Sequence, residues 1–321
     1  MAEKVSTRFK SRINRPELFI MPGGFSPLFA RMAEEVGFEA FFIAGSQTSA
    51  FLYGVPDVGI IGLRDMVDHA RHVAARTSIP IQVDADTGYG NSVSVYYATQ
   101  EFVRAGVAAI NIEDQEAPKK SGTVAGRRCI SKAESVGKIQ AAVAAKNELD
   151  PDFVICARCD VIGSEGGSFP EALDRCIAYI KEGGADYIWL NNVTTREECR
   201  EACAKIPAPV LPLFSGTKEP FPTTDELRSL GARIALYPTI AASVAVQAAW
   251  QILNDLKERG SPAIEDWAKQ YRGTKWGSAS SAELVNAPLV RKLEEQFIPD
   301  ELQRDYETTF GHTPSFDAKE K

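Results

Sequence analysis

The sequence predicts an α/β chain built as a (β/α)8 TIM-type barrel with a C-terminal helical extension. Three observations carry this. Eight short apolar runs alternate with helix-patterned stretches between residues 18 and 258. The runs are apolar throughout, as strands covered by helices on both faces must be. No G-x-G-x-x-G follows the first of them, which disfavours the competing doubly wound sheet. The span of roughly 240 residues is also about the usual size of such a barrel.

The elements follow in order. Residues 1–16 are polar and read as a helix or arm, with Ser6 as its cap. Leu18 to Met21 is a buried strand closing in Pro22-Gly23-Gly24. Ser26 to Val36 has helical spacing, and Gly37 ends it. Ala40–Ala44 is the second strand, and Gly45, Ser46 and Gln47 follow it. A helix over 64–75 precedes the third strand, 79–84. A helix over 92–105 and a strand over 108–112 come next. Ser131 with Glu134 three residues on predicts a capping box for a helix to Lys146. The alternation continues through strands 153–157, 187–190, 210–214 and 234–237, with helices at 170–182, 195–204, 223–230 and 239–258. The barrel domain is therefore placed at 1–258. Residues 259–321 form the extension, whose Pro288–Phe297 segment is amphipathic and is expected at a subunit interface.

Bulk properties exclude several functions. The 321 residues carry a net charge of −7 and no basic block, so nucleic acid is not an expected partner. No apolar run is long enough to span a membrane, and residues 1–15 lack the apolar core of a signal peptide. A cytoplasmic location is expected. Of the six cysteines, Cys156 and Cys159 have C-x-x-C spacing but lie in an apolar run without histidine nearby. Buried thiols explain them better than zinc or redox chemistry.

In a barrel the active site is built where strands end. Beyond the second strand come Gly45, Ser46 and, on the loop, Asp57. The third is followed by Asp84 and Asp86, the fourth by Glu113 and Asp114, the fifth by Arg158 and Asp160. Asn191, Asn192 and Ser215 follow the sixth and seventh. Like-charged carboxylates this close call for a hard divalent cation, Mg²⁺ or in its place Mn²⁺, held largely through water. Gly45 and Ser46 offer backbone N–H groups, and Arg158 a bidentate grip, to a small 2-oxo or 2-hydroxy carboxylate. The loop 117–128, basic and glycine-containing, reads as a lid.

These residues resemble the isocitrate lyase/phosphoenolpyruvate mutase superfamily, and within it the 2-methylisocitrate lyase-like branch. The resemblance rests on Gly54-Val-Pro-Asp-Val-Gly, Asp84-Ala-Asp-Thr-Gly-Tyr-Gly, Asn111-Ile-Glu-Asp-Gln, Lys119-Lys-Ser-Gly, Ala157-Arg-Cys-Asp and Thr223-Thr-Asp-Glu-Leu. It implies a Mg²⁺-dependent enzyme, commonly a tetramer with helices swapped between subunits. Asp84 and Asp86 would sit at the metal with Asp57 and Glu113 nearby. Gly45, Ser46 and Arg158 would grip the acid, with Asn191 and Ser215 beside it. Lyases of the family cleave a C–C bond and take a proton from a lid thiol. Here that position is Ser121, the lid histidine position is Thr123, and Asn191 and Leu213 stand where glutamate and asparagine are typical. Lys119 remains to assist a proton. The expected function is cleavage of a substituted malate. The alternatives are an oxaloacetate-type decarboxylase or hydrolase, P–C chemistry of the mutase kind, and a barrel that binds carboxylate without turnover.

Overall fold

A computed structural model describes residues 3–215, 220–274, 285–306 and 308–309. Residues 275–284, 307 and 310–321 of the expected extension lie outside the described residues. The chain divides into two compact units, Met1–Ser243 and Val244–Lys321.

The first unit is the barrel. Its strands are β1 (Phe19–Gly24), β2 (Phe41–Ile43), β3 (Ile81–Asp84), β4 (Ala109–Glu113), β5 (Val154–Cys159), β6 (Tyr187–Val193), β7 (Val210–Phe214) and β8 (Ile234–Tyr237). They form one parallel sheet ordered β7-β6-β5-β4-β3-β2-β1-β8. The Arg233 amide donates to the Val210 carbonyl at 3.0 Å, which links β8 to β7 and nearly closes the ring. Parallel neighbours need a crossover between them, and helices supply it. These are α2 (Pro27–Val36), the short α3 (Gly45–Thr48), α4 (Leu63–Ala74), α5 (Ser92–Arg104), α6 (Lys132–Leu149), α7 (Phe169–Lys181), α8 (Arg196–Lys205) and α9 (Thr224–Ser229), after an N-terminal α1 (Val5–Ile13).

Local chemistry sets the helix ends. The Ser26, Ser131 and Ser168 hydroxyls accept from the amides of Phe29, Glu134 and Glu171. Thr195 with Glu198 and Thr223 with Glu226 form complete capping boxes. Ser131 caps its helix, but without a reciprocal bond from Glu134. The expectation for Ser6 needs correction. Lys4 precedes the first helical turn, and Ser6 lies inside the helix, where its hydroxyl donates to Asp150 at 2.7 Å. A buried partner across the fold has won over the local cap.

Strand alternation sorts the core into two shells. Ile81, Val83, Ile110, Ile112, Ile155, Ile188 and Leu190 point outward into the strand–helix layer. Phe19, Met21, Phe42, Val154, Cys156, Tyr187, Trp189, Leu211, Ile234 and Leu236 fill the barrel interior, and Phe9 and Ile13 of α1 join them. Above that apolar plug the inward positions turn polar, and there the site is built.

The second unit holds most of α10 (Ile240–Arg259), then α11 (Ser261–Tyr271) and α12 (Pro288–Phe297). Val290, Leu293 and Phe297 of α12 are exposed. Phe42 is 1% exposed and stands edge-on to Trp189 at 5.5 Å. Phe42→Ala should cost about 3–5 kcal/mol of stability. Denaturant titration checks this as a lower midpoint with an unchanged slope.

Candidate active site

The polar inward positions come from adjacent strands in register. Asp84 pairs with Asn111, Glu113 with Arg158, and Arg158 with Trp189. Asp84 ends β3 facing inward. Asp86 reaches the same side by another route: its backbone is left-handed, with φ of 48°, and its amide donates to Asp84 Oδ1 at 3.2 Å. Asp114, next to Glu113, points the other way. It accepts from Tyr179 at 2.7 Å and from the Asp160 amide at 2.8 Å, so it braces the outer layer.

Two cations stand among the inward carboxylates. Lys119 Nζ lies 2.7 Å from Asp57, 2.7 Å from Asp86 and 3.8 Å from Glu113. Arg158 pairs with Asp160 through Nε at 2.8 Å and Nη2 at 2.9 Å, and Nη1 lies 3.2 Å from Glu113. Its guanidinium also lies over the Trp189 ring, 4.7 Å from the centroid. Burial alone would raise the Asp84 carboxyl, but Lys119, Arg158 and its hydrogen bonds hold it below the usual carboxylate range. Burial pushes Asp86 up to about 6 against the pull of Lys119. Burial also drives Glu113 well up, despite Lys119 and Arg158. For Lys119 burial acts downward, and Glu113, Asp84, Asp86 and Asp57 outweigh it, so the ammonium is held charged.

The lid is seated. Gln115 and Cys129 form an antiparallel bridge at its base, and Gln115 Oε1 accepts from the Lys120 amide at 3.0 Å. The Gly122 carbonyl accepts from Asn191 at 3.0 Å and Asn192 at 2.8 Å. Asn191 also donates to Asp160 at 2.5 Å, and the Ser215 hydroxyl donates to Asn192. Ser121 is half-buried beside this contact. Gly45 and Ser46 form the first turn of α3, with Gly45 close against Asp84.

The residues fit a hard divalent cation. Both oxygens of Glu113 are buried and accept no hydrogen bond. The carboxylates of Asp57, Asp84, Asp86, Glu113 and Asp160 outnumber the cations Lys119 and Arg158. The available donors are all oxygens. Among the described residues no three His, Cys, Asp or Glu side chains converge closely enough to ligate one ion directly. Mg²⁺ suits such a site, because it binds through one or two carboxylates and keeps several waters. Asn111 and Gly122 are site residues that the strand-end candidates did not include; Asp160, which follows the fifth strand with Arg158, is the partner that fixes Arg158.

Gly122 tests the lid. A Cβ there would meet Arg158 Nη2 at 2.1 Å and Asn191 Nδ2 at 2.7 Å. Gly122→Ala should therefore lift the lid at an overpacking cost of about 1–3 kcal/mol. Trypsin cleavage within 119–128 should accelerate by about tenfold or more, while the barrel's melting temperature stays near wild type.

The phosphoenolpyruvate phosphomutase family profile matches residues 9–257. The 2,3-dimethylmalate lyase of Eubacterium barkeri is 36% identical over 259 residues, covering 80% of this chain and 88% of that protein. The 2-methylisocitrate lyase of Aeropyrum pernix is 35% identical over 260 residues, covering 81% and 82%. A crystal structure of 2,3-dimethylmalate lyase superposes with a TM-score of 0.83 at 28% identity, covering 97% of this chain and 100% of that one. Oxaloacetate acetylhydrolase bound to 3,3-difluorooxalacetate gives 0.80 at 29% identity, over 92% and 98%. Phosphonopyruvate hydrolase with oxalate and Mg²⁺ gives 0.79 at 28% identity, over 92% and 100%. The match runs through the barrel and every strand that carries the site: the chain belongs to the isocitrate lyase/phosphoenolpyruvate mutase superfamily.

Proposed function

We propose that this chain is a Mg²⁺-dependent carbon–carbon lyase. Its substrate is a small substituted malate of the dimethylmalate or methylisocitrate type, split into a 2-oxo acid and a second carboxylic acid. The observation that carries the reading is the excess of buried carboxylate at one barrel mouth, set against a clamped Arg158 under a seated lid. The dimethylmalate and methylisocitrate lyases among its relatives support the reaction class, and the Mg²⁺ in the phosphonopyruvate hydrolase structure supports the ion.

In the reaction the 2-hydroxyl loses its proton and its oxygen becomes a carbonyl. The C2–C3 bond breaks, its electron pair passes to C3 beside the departing carboxylate, and C3 takes up a proton. Bound at Asp84 and Asp86, Mg²⁺ would stabilise negative charge on the 2-oxygen. Arg158, fixed by Asp160 and Trp189, offers its guanidinium to the acid. The amides of Gly45 and Ser46 and the side chains of Asn191 and Ser215 orient it. Asp57 and Glu113 surround the reacting end. Lys119 acts as a fixed cation that closes the lid over it, and Ser121 occupies the place from which C3 would be protonated. We further propose a cytoplasmic homotetramer with 259–321 as a helical extension at subunit contacts, supported by the exposed apolar residues of α12.

A second reading, hydrolysis or decarboxylation of an oxaloacetate-like acid, is favoured by the hydroxyl at Ser121 in place of a thiol. A panel of substituted malates, oxaloacetate and phosphonopyruvate, with product identification, separates the readings. A 2-oxo acid released from the malates, abolished by EDTA and restored by Mg²⁺ or Mn²⁺, is the expected result. Turnover of oxaloacetate alone, to oxalate and acetate by hydrolysis or to pyruvate and CO2 by decarboxylation, would select the second reading. Carboxylate binding without any turnover would select a binding barrel. Ser121→Ala should lower kcat by about 10²-fold or more if its hydroxyl supplies the proton. An unchanged kcat removes it from that role.

A further inference from the structure

The barrel interior below the site is apolar, yet three polar side chains cross it in a line. Tyr187, Gln82 and Asn111 are each 0% exposed, among Phe42, Val154 and Trp189. The Tyr187 hydroxyl donates to Gln82 Oε1. Gln82 Nε2 donates to Asn111 Oδ1 at 3.4 Å, and Asn111 Nδ2 donates to Asp84 Oδ1 at 2.9 Å. Polar groups so placed are costly unless paired, and Asp84 is the charged end of the line.

The line can run in one direction only. An ionised carboxylate accepts and cannot donate. Asn111 must therefore turn its NH₂ to Asp84, which leaves its carbonyl facing Gln82. Gln82 must then turn its own NH₂ to Asn111, which leaves its carbonyl facing position 187. That carbonyl needs a donor, and the phenol supplies one. With this line in place, Asp84 Oδ1 is occupied by Asn111 and by the Asp86 amide. Asp84 Oδ2 is left on the side of Gly45, where a Cβ would come within 2.8 Å of it.

We propose that Tyr187 and Gln82 are positioning residues for the cation site, acting through Asn111 to hold Asp84 with one oxygen occupied and the other presented to a divalent ion. The inference rests on the reading of Asp84 as a metal ligand. Without the phenol, the Gln82 carboxamide is free to rotate, Asn111 loses its fixed orientation, and Asp84 is no longer held.

Mn²⁺ alone serves as the probe, its binding to the full chain measured by calorimetry and by the electron spin resonance signal of the free ion. Tyr187→Phe and Gln82→Leu should each weaken Mn²⁺ binding by about tenfold, as loss of a supporting hydrogen bond to a ligating group does. The double variant Q82L/Y187F removes both partners of the phenol–carboxamide bond and leaves the Asn111 carbonyl without its donor. It should melt below wild type without metal, yet fold, and bind Mn²⁺ about tenfold more weakly. Because the three residues act in series, Y187F should add nothing in an Asn111→Leu background. Wild-type affinity in Q82L/Y187F overturns the proposal and leaves the proposed function standing. So does a further loss from Y187F on top of N111L. If the wild-type chain takes up no Mn²⁺, the metal reading falls and the proposal falls with it. Should the double variant fail to fold, Y187F, which removes one oxygen, is judged by the same criteria.

Discussion

Surplus negative charge at the mouth of the barrel is the constraint on which the rest of the structure depends. Several carboxylates are drawn together in a nearly dry space, and each would be costly to bury alone. The fold answers with charge brought from different places. Arg158 comes from the barrel wall itself, and Lys119 comes from a loop outside it. Neither cation satisfies Glu113, whose oxygens accept no hydrogen bond. The unbalanced remainder is what makes the mouth receptive to a cation.

That arrangement demands a rigid frame. Parallel strands in register put Asp84 against Asn111 and Glu113 against Arg158, so donor and acceptor positions are set by backbone hydrogen bonds rather than by flexible loops. The apolar plug beneath, sealed at its far end by Phe9 and Ile13, keeps the strands from shifting against one another. Arg158 illustrates how fully a single side chain is fixed. It is paired with Asp160 on one edge, set beside Glu113 on another and laid over Trp189 on its face. A guanidinium held this way can meet a planar carboxylate with little left to order.

Much of this was legible in the chain. The eight strands, the membership of the superfamily and the strand-end charges Asp84, Glu113 and Arg158 all follow from local pattern and motif. What escaped had partners distant in sequence. Ser6 looked like a cap because nothing local reveals Asp150, 144 residues away. Nothing around Gln82 in the sequence points to its partner Tyr187, which lies 105 positions on. Asp86 lies beyond the end of β3, and a left-handed turn that local pattern does not reveal sets its direction. The neighbours of Lys119 are scattered as well: Asp57, Asp86 and Glu113 come from three other stretches of the chain.

That a lysine carried by the lid neutralises the pocket has a consequence for motion. The lid cannot lift without withdrawing positive charge from Asp57 and Asp86, so lid position and pocket charge are a single thermodynamic variable. Anything that changes the charge inside shifts the balance between open and shut, and by linkage the lid's position alters the affinity for whatever enters. Lys119 and whatever enters the pocket thus act on the same carboxylates.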